Sequence, residues 1–304
     1  MSDTAQKTGN RKSLVLISIA ALVAIGLAIA VIVLIGKLNE KPAAATTPCL
    51  DTGKCLVGVS YSDSVPGFRV KNGKEYFGFD VDIANYLTNK LNRGAPVFVQ
   101  ADRDQSLTDP DRPVHMYIST VSMTDDRLEK MTFVGPYMRT FQGVMVNDTS
   151  EIENEGDFDQ KSICVAEDTT SEDSLKVYAK THAIDVRSEA TTEQCTKAMK
   201  EGTYDGVSGD YVTLQTYAHA DPELRPIPTM KVSKGYELYG IALPRESMAL
   251  CQKLKPLLKD FVREKWESAF DSNLKPLDIT YDSTNTTIPS LKPGENLVDI
   301  NSCH

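Results

Sequence analysis

No Gly-X-Y period, heptad array or repeat of ~20–50 residues runs through the 304-residue sequence, which excludes fibrous and solenoid architectures. A basic excess is also missing: 33 Lys and Arg stand against 42 Asp and Glu, for a net charge of -9. A nucleic-acid binder needs the opposite balance, so no nucleic-acid partner is expected. No Cys-x2-4-Cys pair occurs, which argues against a zinc site. His115, His182 and His219 are isolated, without nucleophile or metal spacing, and read as structural or surface residues. No metal and no cofactor is expected. What is present is an ordinary globular balance of 41% hydrophobic and 25% charged residues. At ~100–200 residues per domain the length allows two or three folding units.

The long hydrophobic run is confined to the front. Residues 14–35 carry no charge, and 22 residues make a helix of roughly 33 Å, enough to cross a bilayer core. Lys7, Arg11 and Lys12 precede the run, while Lys37, Glu40 and Lys41 follow it. That bias favours the N-terminus inside and the remainder outside. The expectation is a cytoplasmic tail at 1–13, an uncleaved transmembrane anchor at 14–35 and a tether at 36–54. The protein would then be single-pass in the cell membrane with its C-terminal domain extracytoplasmic. A cleaved signal peptide ending near Ala43-Ala44-Ala45 competes, although such apolar regions usually run ~7–15 residues. Residues 1–41 hold five basic and two acidic residues, a net +3, so the exported remainder carries -12. Local positive groups must therefore capture any anionic ligand.

Cys49, Cys55, Cys164, Cys195, Cys251 and Cys303 all follow the apolar run. An even number outside the membrane points to disulfides. Six cysteines permit 15 pairings, of which nearest neighbours, 49–55, 164–195 and 251–303, is the simplest.

Short Val-rich runs alternate with helical patterns along the exported part. Residues 55–61 read as a first strand, followed by a helix with Asp80 as N-cap and Ile83, Ala84, Leu87 and Leu91 inward. Strands follow at 97–99 and 116–121, separated by a polar loop at 101–113. Thr124 to Arg127 opens a helical turn, and 141–146 is a strand. A second series has strands at 163–166, 206–208 and 239–243, with helices at 171–181, 193–200 and 211–219. The run 246–267 is helical, with Pro256 expected to kink or split it. Residues 279–304 read as irregular. Alternating strands and helices mean α/β units, and two series suggest two lobes with a ligand cleft between them.

Three segments carry a family resemblance. Gly78-Phe79-Asp80-Val81-Asp82-Ile83-Ala84 is the first. Ser119-Thr120-Val121-Ser122-Met123-Thr124-Asp125-Asp126-Arg127, followed by Phe133-Val134-Gly135-Pro136-Tyr137, is the second. Tyr204-Asp205-Gly206-Val207-Ser208-Gly209-Asp210 is the third. In order and spacing they resemble family 3 of the bacterial extracellular solute-binding proteins, the amino-acid receptors of ABC importers, over about residues 55–270. The resemblance implies a two-lobed periplasmic-binding fold of type II, with 55–141 and 236–304 as lobe I and 142–235 as lobe II. It implies no enzyme but a receptor that delivers an amino acid to an ABC permease, or reports it to a membrane sensor partner. A dehydratase-like enzyme on the same scaffold is a further alternative.

By the same resemblance Arg127 holds the ligand α-carboxylate, while Thr120, Ser122 and Asp210 hold its α-amino group. The chemistry is coherent: a guanidinium takes a carboxylate through two parallel hydrogen bonds, and hydroxyls and carboxylates accept from an ammonium. Strand alternation would put Thr120 and Ser122 on one face. Thr169 and Thr170 match the family's turn after a second-lobe strand, although Asp168 replaces its usual Gly. Arg103 resembles the arginine that faces the side-chain carboxylate in glutamate and aspartate receptors, so these two ligands lead, followed by glutamine and asparagine. Tyr61 and Phe68 flank the first lobe's opening, either as ligand contacts or as core. Gln142 and Gly143 lie near the expected hinge. Asp80, Asp82 and Trp266 read as structural.

Overall fold

The computed structural model describes residues 48–51, 53–60, 65–108, 114–228, 231–233, 235–279 and 295–304. The chain divides into Met1–Thr46 and a compact unit, Thr47–His304, which contains every described residue. The expected anchor at 14–35 and the candidate ligand residue Tyr61 lie outside the described residues. Among the described residues no helix is long and apolar enough to cross a membrane.

The compact unit begins with a short helix α1 (Pro48–Asp51), strand β1 (Leu56–Val59) and a hairpin of β2 (Val70–Asn72) and β3 (Glu75–Phe77). Next come α2 (Phe79–Lys90), β4 (Val97–Gln100), α3 (Arg103–Thr108), β5 (Met116–Ser122), α4 (Asp125–Lys130) and β6 (Met131–Thr140). The second series is β7 (Gln142–Asn147), β8 (Ser162–Ala166), α5 (Thr170–Tyr178), β9 (Asp185–Glu189), α6 (Thr192–Lys200), β10 (Gly206–Asp210), α7 (Tyr211–Ala220) and β11 (Leu224–Pro226). The chain ends with β12 (Glu237–Pro244), α8 (Met248–Glu264), α9 (Trp266–Asn273) and α10 (Leu297–Asn301).

These strands make two five-stranded mixed sheets, ordered β4-β1-β5-β12-β6 and β11-β7-β10-β8-β9. In the first, β1 runs parallel to β4 and β5, and β12 runs antiparallel to β5 and β6. In the second, β8 runs parallel to β9 and β10, and β7 runs antiparallel to β10 and β11. The chain thus leaves the first sheet after β6, builds the second, and returns as β12. The result is a two-lobed α/β unit. Parallel strands place helix-opening turns at their C-terminal ends, and both lobes use those turns to build the site.

The first lobe's core forms around Phe79, which contacts the rings of Phe68, Tyr137, Phe261, Trp266 and Phe270. Phe68 and Trp266 are both fully buried there, which settles Phe68 as core. The Trp266 indole N–H is satisfied by Tyr137 O at 2.7 Å. The second lobe has its own core, which includes Val144, Phe158, Ile163, Val165 and Leu175. Disulfides join Cys49 to Cys55, Cys164 to Cys195 and Cys251 to Cys303. The nearest-neighbour pairing is therefore the observed one, and the third bridge ties the chain after α10 to α8.

Several local expectations are corrected. The N-cap of α2 is Gly78, with Asp80 inside the first turn. Gly78 has φ 129°, and a Cβ there would lie 2.4 Å from the Phe68 carbonyl, so only glycine fits the entry. The polar stretch read as loop contains α3, anchored by buried Ser106 and Leu107. Pro256 does not split α8, which runs unbroken to Glu264. Gln252, whose carbonyl loses its helical N–H partner, is exposed to water, and burial of Leu254 and Leu258 holds both halves in place. The break falls instead at Lys265. The tether expected at 36–54 includes α1, and the irregular tail includes α10.

Candidate functional site

The C-terminal ends of β5, β8 and β10 and the turns after them open on one cavity of about 320 Å³. That volume suits a small molecule. Of the sequence-predicted ligand residues, Arg127, Asp210, Thr120, Ser122, Thr169, Thr170 and Arg103 all line it.

Arg127 sits in the first turn of α4, whose N-cap Thr124 accepts the Arg127 N–H at 3.3 Å. Its guanidinium is steadied by Nη1 donating to Ser122 O at 2.9 Å. That contact engages the Ser122 carbonyl and leaves the Ser122 hydroxyl as the side-chain acceptor for a ligand ammonium. The Ser122 hydroxyl lies 3.3 Å from the Thr170 hydroxyl of the opposite lobe. Strand alternation does not govern Thr120, because its φ is 49°, in the left-handed region. Its N–H donates to Asp80 Oδ2 at 2.9 Å, and its hydroxyl donates to Ser119 O at 2.8 Å. Asp80 therefore works as a buried post that fixes this kink, in keeping with its structural reading.

Asp210 ends β10 and occupies the N-cap position of α7 without making a side-chain cap. Its Oδ2 accepts the Tyr239 hydroxyl at 2.6 Å, a contact between the two sheets. Its Oδ1 is buried and has no partner. A buried carboxylate oxygen with unused lone pairs is costly unless a ligand completes it. Thr169 is the N-cap of α5: its hydroxyl accepts the Glu172 N–H at 3.1 Å and donates to Ala166 O at 2.7 Å. Thr170 is free of that duty, and its hydroxyl also accepts from Gln142 Nε2 at 3.2 Å. Asp168 adopts φ 56°, so the turn keeps the conformation that a glycine would serve.

Arg103 stands in the first turn of α3 and is claimed by its neighbour. Its Nε and Nη2 reach the two carboxylate oxygens of Asp104 at 2.8 and 3.1 Å. Sequence reasoning missed Arg69, Ser60 and Ser119, which also line the cavity. Arg69 is only 4% exposed. A single basic residue between Phe68 and Val70 gives no sequence signal that it turns inward.

Electrostatics separate the charged groups. Burial pushes the Asp210 carboxyl up to about 7, helped by the Glu237 charge and opposed by the Tyr239 hydrogen bond and Arg127. Burial, with the charge of Arg103, lowers Arg127 to about 10, still fully cationic at neutral pH. Burial likewise raises Asp80 to about 6, against the pull of Arg69. The cavity thus offers a cation from one lobe and a proton-poised carboxylate from the other, with hydroxyls between them. The histidines stand apart. His115 Nδ1 accepts the Leu56 N–H at 2.9 Å, His182 pairs with Glu155 and His219 with Asp278. Among the described residues no group of His, Cys, Asp and Glu could hold a metal ion.

Comparison with known proteins agrees with this architecture. The glutamate-binding protein GluB of Corynebacterium efficiens is 25% identical over 214 residues, covering 65% of this chain and 70% of that protein. The glutamine-binding protein of Geobacillus stearothermophilus is 24% identical over 207 residues, covering 66% of this chain and 77% of its own length. A solute receptor for L-cysteine from Neisseria gonorrhoeae superposes with a TM-score of 0.65 at 19% identity, covering 75% of this chain and 94% of its own. A mutant of ArgBP from T. maritima gives 0.64 at 23% identity, covering 73% and 96%. These structural likenesses establish the two-lobed periplasmic-binding fold. The model of the bacterial extracellular solute-binding proteins, family 3, matches residues 57–272. With that match spanning both lobes and the cavity between them, the chain belongs to family 3 of the bacterial extracellular solute-binding proteins.

Proposed function

We propose that the protein binds a free amino acid in the interlobe cavity, with glutamate and aspartate first and glutamine and asparagine next. The observation that carries this reading is the pairing of Arg127 and Asp210, opposite charges that reach one cavity from different lobes. A zwitterion has the complementary pattern. Arg127 takes the α-carboxylate and Asp210 Oδ1 takes the ammonium, with hydroxyls from Thr120, Ser122 and Thr170 completing the shell. Because these contacts come from both lobes, the ligand favours the closed arrangement of the cleft. The names of the glutamate- and glutamine-binding relatives support this ligand class.

Delivery to an ABC permease is the proposed destination of the ligand, in keeping with the family. Residues 14–35 are proposed to anchor the protein in the cell membrane, with the two lobes outside. A dehydratase-like reaction is the second reading, favoured by Asp210, whose raised pKa is what a general acid needs. The Tyr239 hydroxyl on its Oδ2 and the unmet acceptor on Oδ1 fit a fixed ammonium counterion better. Calorimetric titration with glutamate, aspartate, glutamine, asparagine and arginine tests the proposal. Micromolar or tighter binding of an acidic amino acid supports it. Turnover of prephenate without amino-acid binding would favour the enzyme.

A further inference from the structure

The cavity holds a third arginine, Arg69, whose charge has no fixed counterpart among the described residues. Arg69 lies between the buried Phe68 and strand β2, and its side chain lines the cavity beside Tyr117 and Ser119. Its Nε and Nη1 are buried without a hydrogen-bond partner. Among the described residues it forms no ion pair. A buried guanidinium in this condition is unfavourable unless an anion reaches it.

Neither Asp80 nor Asp104 forms an ion pair with Arg69. Asp80 senses the Arg69 charge, yet no ion pair joins the two: its Oδ2 accepts the Thr120 N–H, and its Oδ1 is buried without a hydrogen-bond partner of its own. Asp104 is occupied in a two-point pair with Arg103. The two candidate arginines are thus in opposite states. Arg103 carries its own carboxylate, and Arg69 has open donors. A carboxylate on the far end of a ligand gains most from the arginine that is not already neutralised, because a guanidinium fork takes two oxygens at once.

We infer that Arg69, and not Arg103, reads the side-chain carboxylate of the ligand, so that the site is built for a dicarboxylic amino acid. This rests on the amino-acid reading given above and narrows it. The α-carboxylate goes to Arg127, the ammonium to Asp210 and the side-chain carboxylate to Arg69. Asp104 shields Arg103, which contributes field but no direct contact.

The test compares glutamate with glutamine, which differ only at the group in question. Titration calorimetry is run on the wild-type chain, Arg69→Met and Arg103→Met. The wild type is expected to prefer glutamate. In Arg69→Met, glutamate affinity is expected to fall roughly 10- to 100-fold while glutamine affinity stays within about threefold, as loss of one charge-assisted contact implies. Arg103→Met is expected to keep the wild-type preference. If Arg69 merely balances Asp80, Arg69→Met will weaken both ligands alike, and the assignment falls. It also falls if Arg103→Met abolishes the preference, or if the wild type prefers glutamine. Should Arg69→Met not fold, Arg69→Lys keeps the charge and loses the fork; a selective loss of glutamate affinity supports the assignment, and an unchanged ratio overturns it. A wild type that binds no amino acid at all sinks the amino-acid reading itself, a result distinct from each of these.

Discussion

Binding at Asp210 should release a proton below neutral pH. In the free protein burial holds this carboxyl at about 7, so at pH 6 it is roughly nine-tenths protonated. A ligand ammonium about 4 Å from Oδ1 contributes about 4 kcal/mol at an effective dielectric near 20, which is close to three pK units. The occupied site then titrates well below pH 6, and binding at pH 6 expels about 0.9 protons. At pH 8.5 the carboxylate is already ionised and release falls to about 0.03. Affinity follows, dropping about tenfold at pH 6 relative to its plateau. Calorimetry in two buffers of different ionisation enthalpy counts the protons directly. Asp210→Asn removes the titrating group and should abolish the release. The reasoning is refuted if wild-type binding at pH 6 is proton-neutral, or if Asp210→Asn releases as many protons as the wild type.

Other outcomes follow from the same structure. Arg127→Ala should weaken any amino-acid ligand by more than about 100-fold, because a two-point charged contact is lost, while the thermal midpoint stays within a few degrees. Phe79→Ala empties the centre of the first lobe's aromatic cluster and should cost about 3–5 kcal/mol in denaturant unfolding. Cys251→Ser with Cys303→Ser opens a loop with a sequence separation of 52 residues and should cost about 4 kcal/mol, read by the same unfolding curves. The raised pKa of Asp210 means that the folded state holds a proton which the unfolded chain has released. Ligand-free stability should therefore fall from pH 4 to 7 through this group, by at most about 1.4 kcal/mol per pH unit, and Asp210→Asn should flatten that slope in pH-dependent melts.

The legible parts of the sequence were those with apolar periodicity. Ile83, Ala84 and Leu87 mark α2 at helical spacing, and the Val-rich run at β1 marks a buried strand. Arg127 and Asp210 were legible because each sits where a strand gives way to a helix inside a family motif. Elements with mixed patterns were not. β6 spans ten residues and contains Gly135 and Pro136, which read locally as a break, yet pairing with β12 on both sides of them, at Val134 and at Met138, carries the strand through a register shift. β9 is almost wholly polar, Asp-Val-Arg-Ser-Glu, because it sits at the edge of its sheet. Pro256 shows the reverse case, a helix breaker overruled by tertiary burial. Arg69 was invisible for another reason: whether a lone arginine turns to solvent or to a cavity is decided by tertiary packing, and no local pattern encodes it.

The most direct test of the central reading is a crystal structure of the protein with L-glutamate at saturating concentration. The expected result is one ligand in the interlobe cavity, with its α-carboxylate on the Arg127 guanidinium and its ammonium within hydrogen-bond distance of Asp210 Oδ1. A ligand bound elsewhere, or lying in the cavity with its α-carboxylate away from Arg127, would contradict it.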